Sequence, residues 1–478
     1  MFGVILNPYS DVDKKIMSEI YTSDEPWKNL EVLCDVYDSR WPGTENDIGS
    51  VKYMVEKLQE YGLKDAYYEP FKIPGWRRGP AKLEVTSPIH KEFDVISLPH
   101  SIAGEIETKL VDLGSGGLDV YEKRKDEIDG NIVICSSARP TGMTRSLHRT
   151  EKFNRSVLAG AKGWIFMNHY PAYGPPTGGI SPIIPSLGLA YEDGCFIQRL
   201  LAREEEVTVK ITTTDKNLEV TTHNVIGDVP GTSTDKEYVV TGSHYDGHDI
   251  SQGAVDPASG TVVVMEMARV TNMVKDKLKR RIRFMCFGAE ETGLFGSYHH
   301  TNAHEDELAD CRFMLNLDAA GGAGRKGVVF HGYPELEPLL MKWRDEMKAE
   351  MPYGQRTGPY SDHWPFFLKG VPSGGGGDYG GAPRTGRGYG HTKYDTVDKV
   401  NLIYLRLAAA NYSRYLFRVA NEDNWPVKRK TQKDVNDFIE KMGYGETVVL
   451  VDKVKEYVGK WDNLHQDTKD WLARESDW

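Results

Sequence analysis

At 478 residues the chain exceeds one ordinary hydrophobic core, so two domains with appendages are expected. Hydrophobic residues at 39% and charged ones at 27% exclude a disordered chain, and no run approaches the roughly 20 apolar residues of a membrane span. With 59 basic against 70 acidic residues, the net charge of −11 argues against nucleic acid as a partner.

Residues 1–103 read as α+β. The opening Met1–Pro8 is too short and uncharged for a signal peptide, so a cytoplasmic protein is expected, or a secreted one if the chain is a trimmed mature form. Helices are predicted over Asp11–Tyr21 and Ser50–Tyr61, the latter with Val51, Met54, Val55 and Leu58 on one face. Strands follow over Ala66–Ile73 and Ala81–Val85, and Asp38–Thr44 reads as a turn. Five scattered cysteines (Cys34, Cys135, Cys195, Cys286, Cys311) form no Cys-x-x-Cys pair, which predicts reduced thiols. From 104 to 221 short strands (Thr108–Asp112, Asn131–Cys135, Trp164–Asn168, Val207–Ile211) surround one helix, Lys152–Ala161.

The most informative stretch is Gly242–Gly260. Tyr238–Val240 before it reads as a buried strand, and Thr261–Val270 after it is apolar almost all round, as in a helix packed on a sheet. His244 and Asp256 thus fall on a strand-to-helix crossover, where open α/β sheets bind ligands. An imidazole and a carboxylate suit a divalent metal. Two further strands, Arg281–Phe287 and Phe313–Leu317, run into Glu290-Glu291 and into Asp318. A later delivery brings His391, with Asp395 behind it. Together these strand-end groups predict a metal site. The glycine-rich segment Gly374–Gly390, carrying Tyr379, Arg384 and Arg387, reads as a mobile flap. Beyond Asn424-Trp425-Pro426 lies a charged tail with helix-like stretches at Gln432–Met442 and Val448–Leu464, expected to pack or to form a homodimer.

Gly242-Ser-His-Tyr-Asp246, Gly253-Ala-Val-Asp-Pro-Ala-Ser-Gly260, Phe287-Gly-Ala-Glu-Glu-Thr-Gly-Leu-Phe-Gly-Ser297, Asn316-Leu-Asp318, Ser361-Asp-His363 and His391-Thr-Lys-Tyr-Asp-Thr396 occur in family order and spacing. By these the chain resembles the di-zinc exopeptidases of metallopeptidase family 28, grouped with bacterial leucyl aminopeptidases and glutamate carboxypeptidases. The likeness covers residues 224–420 closely and the earlier region more loosely. It implies an α/β fold, an αβα zinc-peptidase sandwich with a mixed central sheet, built from 1–103 and 222–420. Gly130–Ile134, Ala159–Ile165 and Ile184–Leu189 resemble a mainly-β protease-associated domain, inserted as 104–221, and residues 421–478 would be a helical extension.

The resemblance also implies site roles. Asp256 would bridge two Zn²⁺ ions, with His244 and Asp318 completing one and Glu291 and His391 the other. Glu290 would be the general base, Asp246 and Asp395 would hold the second ring nitrogens of His244 and His391, and the Asp256–Pro257 bond would be cis. The family's Arg-x-x-Gly has a counterpart in Arg40–Gly43. Some relatives carry a Tyr directly before the last His ligand; here that position is Gly390, which leaves Tyr389 and Tyr360 as oxyanion candidates. His248-Asp249 and His299-His300 are expected at the surface, Asp362-His363 as support near the cleft, and Arg384 or Arg387 as a fork for a substrate carboxylate. The implied activity is hydrolysis of a peptide or dipeptide by metal-activated water, with aminopeptidase leading. Carboxypeptidase or dipeptidase action on the same scaffold, and a non-catalytic binding protein, are the alternatives.

Overall fold

A computed structural model describes residues 6–204, 206–380 and 388–474. The chain forms two compact units, one of residues 1–73, 221–390 and 395–444, the other of 74–220, 391–394 and 445–478. No helix among the described residues is long and apolar enough to cross a membrane, and all five cysteines are free thiols.

The first unit is built on a mixed sheet of β1 (Tyr67–Arg77), β2 (Lys216–Val229), β3 (Tyr238–His244), β4 (Arg281–Phe287), β5 (Cys311–Asn316), β6 (Arg325–Phe330), β7 (Tyr353–Gln355) and β8 (Ser373–Tyr379). Their spatial order is β1-β2-β4-β3-β5-β8-β6-β7. Strands β4, β3, β5 and β8 are mutually parallel, and β2 and β6 run antiparallel to their neighbours β4 and β8. Successive side chains on a strand point to opposite faces, and the sequence is apolar on both. Val239, Ile282, Phe284, Phe313 and Leu315 enter one core. Tyr238, Val240, Met285, Phe287 and Met314 enter another, against Phe366 and Val371. Each fully buried side chain of this size is worth about 1.5–3 kcal/mol over its exposed state. That makes these strands, rather than their connections, the rigid part of the unit.

The first face is covered by α1 (Ser10–Thr22), α2 (Glu45–Glu60), α3 (Ser259–Asn272) and, after the shorter α4 (Phe295–Ala303) and α5 (His363–Leu368), by α6 (Leu402–Asn421). Thr44 caps α2 by accepting from the Asp47 N–H, so this helix starts at Glu45, five residues before the predicted start. The segment from Gly374 to Tyr379, read from sequence as the start of a flap, belongs to β8. Glycine is needed there because the neighbours come close. A Cβ on Gly376 would stand 2.4 Å from Leu317 Cδ2, and the Tyr412 hydroxyl of α6 accepts from the Gly377 N–H at 3.1 Å. Residues 381–387, with Arg384 and Arg387, lie outside the described residues.

The second unit holds a second mixed sheet, ordered Lys91–Phe93, Ala81–Ser87, Thr208–Thr213, Gly104–Asp112, Ile132–Ser136, Gly163–Met167, Ser186–Leu189 and Val95–Ser97. It carries helices Arg149–Leu158 and Tyr191–Leu201, so it is α/β rather than mainly β. The second helix was not legible because Ile197 and Leu200 are its only fully buried apolar positions; its third buried residue, Gly194, presses on Met167. The tail is divided. Val435 and Ile439 of Gln432–Lys441 pack with Tyr298, Trp364 and Phe367 of the first unit. Val454 and Val458 of Leu450–Val458 join Phe153, Val157 and Trp164 in the core of the second.

Candidate metal centre

Parallel register brings the site together. His244, the last residue of β3, is level with Phe287, the last of β4, and Gly242 is level with Asn316, the last of β5. Glu290 and Glu291 lie three and four residues beyond β4, and Asp318 two beyond β5, so all emerge at one carboxyl edge. Asp256 comes from the kinked turn Ala254–Ala258, where its own φ, ψ of −122°, 97° is not helical and the Asp256–Pro257 bond is cis, as the resemblance implies. Gly260 lets α3 abut β5, since a Cβ there would stand 1.9 Å from the Leu317 carbonyl oxygen.

His244 Nε2 lies 3.3 Å from Asp256 Oδ1 and 3.6 Å from Asp318 Oδ1. One ligand atom from each of these three residues falls within 4.8 Å of the others. An imidazole nitrogen and two carboxylate oxygens, converging in a buried place, fit zinc. The electrostatics ask for a cation too. Burial alone would lower the His244 imidazole, but Glu290 and the carboxylates of Asp246, Asp256 and Asp318 hold it well above its ordinary value. Burial raises the Glu290 carboxyl well above its usual range, against the pull of His244 and with help from Glu291, Asp318 and Asp362. Asp362 is pushed up to about 7, by burial first. A positive ion would relieve all of these.

Asp246 stands behind the His244 ring, as the resemblance implies: Nδ1 donates to the Asp246 carbonyl at 3.1 Å and lies 3.5 Å from Asp246 Oδ1. Its carboxylate accepts the N–H groups of Glu290 at 3.0 Å and Glu291 at 3.1 Å. Asp395, expected behind His391, spends its two oxygens on the N–H groups of Val255 at 2.7 Å and Asp256 at 3.0 Å. Two buried aspartates therefore grip the backbone under the candidate base and under the candidate bridge. Arg40, whose segment also read as a plain turn, is fully buried and donates to the carbonyls of Leu33, Tyr245, Gln252 and Gly253, bracing the loop between His244 and Asp256. Ser259 ties the two halves of the site, donating to the Val255 carbonyl and accepting from the N–H groups of Ala320 and Gly321.

Histidines expected at the surface are buried. His248 is 2% exposed, with Nε2 3.0 Å from Glu291 Oε2 and its ring stacked on Trp41. His300 is wholly buried beside Phe366, because α4 turns that side inward; its neighbour His299, half-buried, stacks on Phe71 of β1. His391 groups with the second unit, has φ of 62°, and accepts at its carbonyl from the Thr177 N–H. Tyr360 packs edge-on against Tyr444, while Tyr389 carries the Lys399 ammonium over its ring. Next to Tyr360, Ser361 accepts from Asn316 Nδ2 at 2.6 Å, which ties that loop to the strand delivering Asp318.

Residues 224–416 match the family described as Peptidase family M28. Aminopeptidase YwaD of Bacillus subtilis (strain 168) is 29% identical over 435 residues, 88% of this chain and 90% of that protein. Carboxypeptidase Q of Xenopus laevis is 23% identical over 353 residues, 71% of this chain and 75% of that one. Among solved structures, BSAP, a zinc aminopeptidase from Bacillus subtilis, superposes with a TM-score of 0.64 at 22% identity, over 84% of this chain and 96% of that chain. That last likeness speaks for the fold.

Proposed function

We propose, from the premise that this chain belongs to peptidase family M28 through residues 224–416, that it is a metal-dependent exopeptidase acting as an aminopeptidase. The observation that carries the reading is the convergence of His244, Asp256 and Asp318 beside the buried Glu290. Full-length similarity to an aminopeptidase supports the choice of end, and similarity to carboxypeptidase Q keeps carboxypeptidase action as the second reading. A non-catalytic relative would have no need of a complete donor set and a base.

In this reading His244 and Asp318 would hold one zinc ion and Glu291 and His391 a second, with Asp256 shared between them. When bound, zinc polarises a carbonyl oxygen and acidifies water. Glu290 takes the proton from the attacking water and returns it to the leaving amine. Asp246 fixes where Glu290 and Glu291 diverge, by gripping their N–H groups, and Asp395 fixes the backbone from which Asp256 reaches. His248 steadies the Glu291 carboxylate. Tyr360, on the loop tied to Asn316, supports the oxyanion.

The test is hydrolysis of free-amine against N-blocked peptides, before and after chelation and with zinc restored. The expected result is cleavage of free-amine peptides alone, lost on chelation and recovered with zinc. Cleavage of N-blocked peptides from the carboxyl end moves the activity to carboxypeptidase. Cleavage that survives complete metal removal overturns the reading.

A further inference from the structure

Away from the candidate catalytic cluster, a second group of imidazole and carboxylate side chains is gathered inside the first unit. Glu69 of β1, His300 of α4 and His304 at the C-terminal cap of that helix each offer one ligand atom within 4.8 Å of the others. His300 and His304 are four residues apart, which places side chains on one face of a helix; their ring centroids are 4.6 Å apart. His304 Nε2 meets Glu69 Oε1 at 2.8 Å. The other Glu69 oxygen is buried without a hydrogen bond, and His299 Nε2 stands 3.7 Å from it.

His300 is the decisive member. Its side chain is wholly buried, and both ring nitrogens lack a hydrogen-bond partner. Buried polar groups are nearly always satisfied, so one that is not calls for an explanation, an ion among them. The surroundings favour a cation. A carboxylate faces the imidazoles, and the C-terminal end of α4 contributes the negative pole of a helix. With metal–nitrogen and metal–oxygen bonds of about 2.0–2.2 Å, donors in a tetrahedral site lie roughly 3.3–3.6 Å apart, so side chains whose donors lie within 4.8 Å of one another need close by at most about 1.5 Å.

We propose that Glu69, His300 and His304 bind a divalent transition metal of the zinc class, at a structural site separate from the candidate catalytic centre. His299, beside the second Glu69 oxygen, or a water supplies a fourth ligand. The ion would pin edge strand β1 to the C-terminal end of α4, the helix that begins just after the Glu290-Glu291 loop. Its effect is to hold that helix, and it takes no part in hydrolysis.

The test compares zinc content, by elemental analysis after equilibrium dialysis against micromolar zinc, in the full-length protein and in the Glu69→Gln and His304→Gln variants. The expected result is one zinc fewer per chain in each variant, with peptide hydrolysis retained and with a smaller rise in melting temperature on adding zinc. Equal zinc content in all three proteins overturns the proposal. Should either variant fail to fold, crystals of the unaltered protein grown with zinc decide the matter. An anomalous difference peak at the zinc edge between Glu69, His300 and His304 upholds the site, and its absence overturns it. A zinc difference of this kind is read without any hydrolysis assay, so loss of the peptidase reading would leave it intact.

Discussion

The two sheets share a build and differ in chemistry. Each holds four adjacent parallel strands: β4, β3, β5 and β8 in the first unit, and Gly104–Asp112, Ile132–Ser136, Gly163–Met167 and Ser186–Leu189 in the second. At the carboxyl edge of the first stand His244, Glu290, Glu291 and Asp318. The residues just past the strands of the second are Leu113, Ser137, Asn168-His169 and Ala190. The one imidazole there is engaged by Ser137 Oγ at 2.6 Å. Parallel strands create a place where side chains meet, and the residues directly beyond them decide whether that place can hold a metal or only closes a core.

The sharpest way to break this contrast is to strip the first edge. His244→Ala or Asp256→Ala removes a donor from the cluster, and turnover is expected to fall to background along with metal content. Metal analysis beside a peptide assay checks both, and full activity in either variant would show that the chemistry lies elsewhere in the molecule. Next in size is Glu290→Gln, which keeps volume and loses the proton acceptor. A loss of about 10²–10⁴-fold in kcat with metal content unchanged is expected. A variant of near-normal kcat reassigns the base.

The two backbone grips offer a smaller and more selective test. Asp395→Asn leaves one good acceptor where two N–H groups are held, so the turn that carries Asp256 loosens. Outer supports of this kind typically contribute about 10–100-fold in metal affinity or activity. Zinc titration and kinetics on Asp395→Asn check this, and an unchanged zinc affinity with unchanged kcat would remove Asp395 from the positioning of Asp256.

The smallest effect belongs to the second unit and is one of stability. Asp215 accepts from the Ser97 hydroxyl at 2.6 Å and the Gly79 N–H at 2.9 Å, yet burial, the larger influence, pushes its carboxyl up to about 6. The folded unit therefore keeps this proton between about pH 4 and pH 6, where the unfolded chain has released it. Stability contributed by Asp215 falls as pH rises through that window, by on the order of 2–3 kcal/mol. The Tm of the unaltered protein, less that of Asp215→Asn, should decline from pH 4 to pH 7, with the kcat of the two proteins equal at each pH. A flat difference would mean that Asp215 ionises freely in the folded state.

Much of the first edge could be read in the chain itself. A run such as Arg281–Phe287 is short, apolar and bounded by Gly288, and so declares both a strand and the residue at which it ends. Whatever follows within four residues must then lie at that end. Glu290, Glu291 and Asp318 are legible for this reason, and His244 because it closes β3 itself. The αβα character of the first unit came from the family resemblance and not from this local pattern. Glycine-rich β8 escaped because its reason lies in Leu317 and Tyr412, which no local pattern contains.

The sequence by itself thus determined which side chains the strand ends deliver, since backbone geometry and hydrophobic period are local properties. Only the tertiary structure decided what those side chains and their supports touch. Asp395 follows His391 by four residues and yet grips Val255 and Asp256, and Arg40 braces Tyr245 across 205 positions of chain. His248 and His300 sit in polar-looking stretches and are nonetheless buried, because packing of a helix or loop against its neighbours fixes which side faces inward. A hydrogen bond is specific to a partner within about 3 Å, and that partner is chosen by the fold of the whole unit rather than by spacing along the chain.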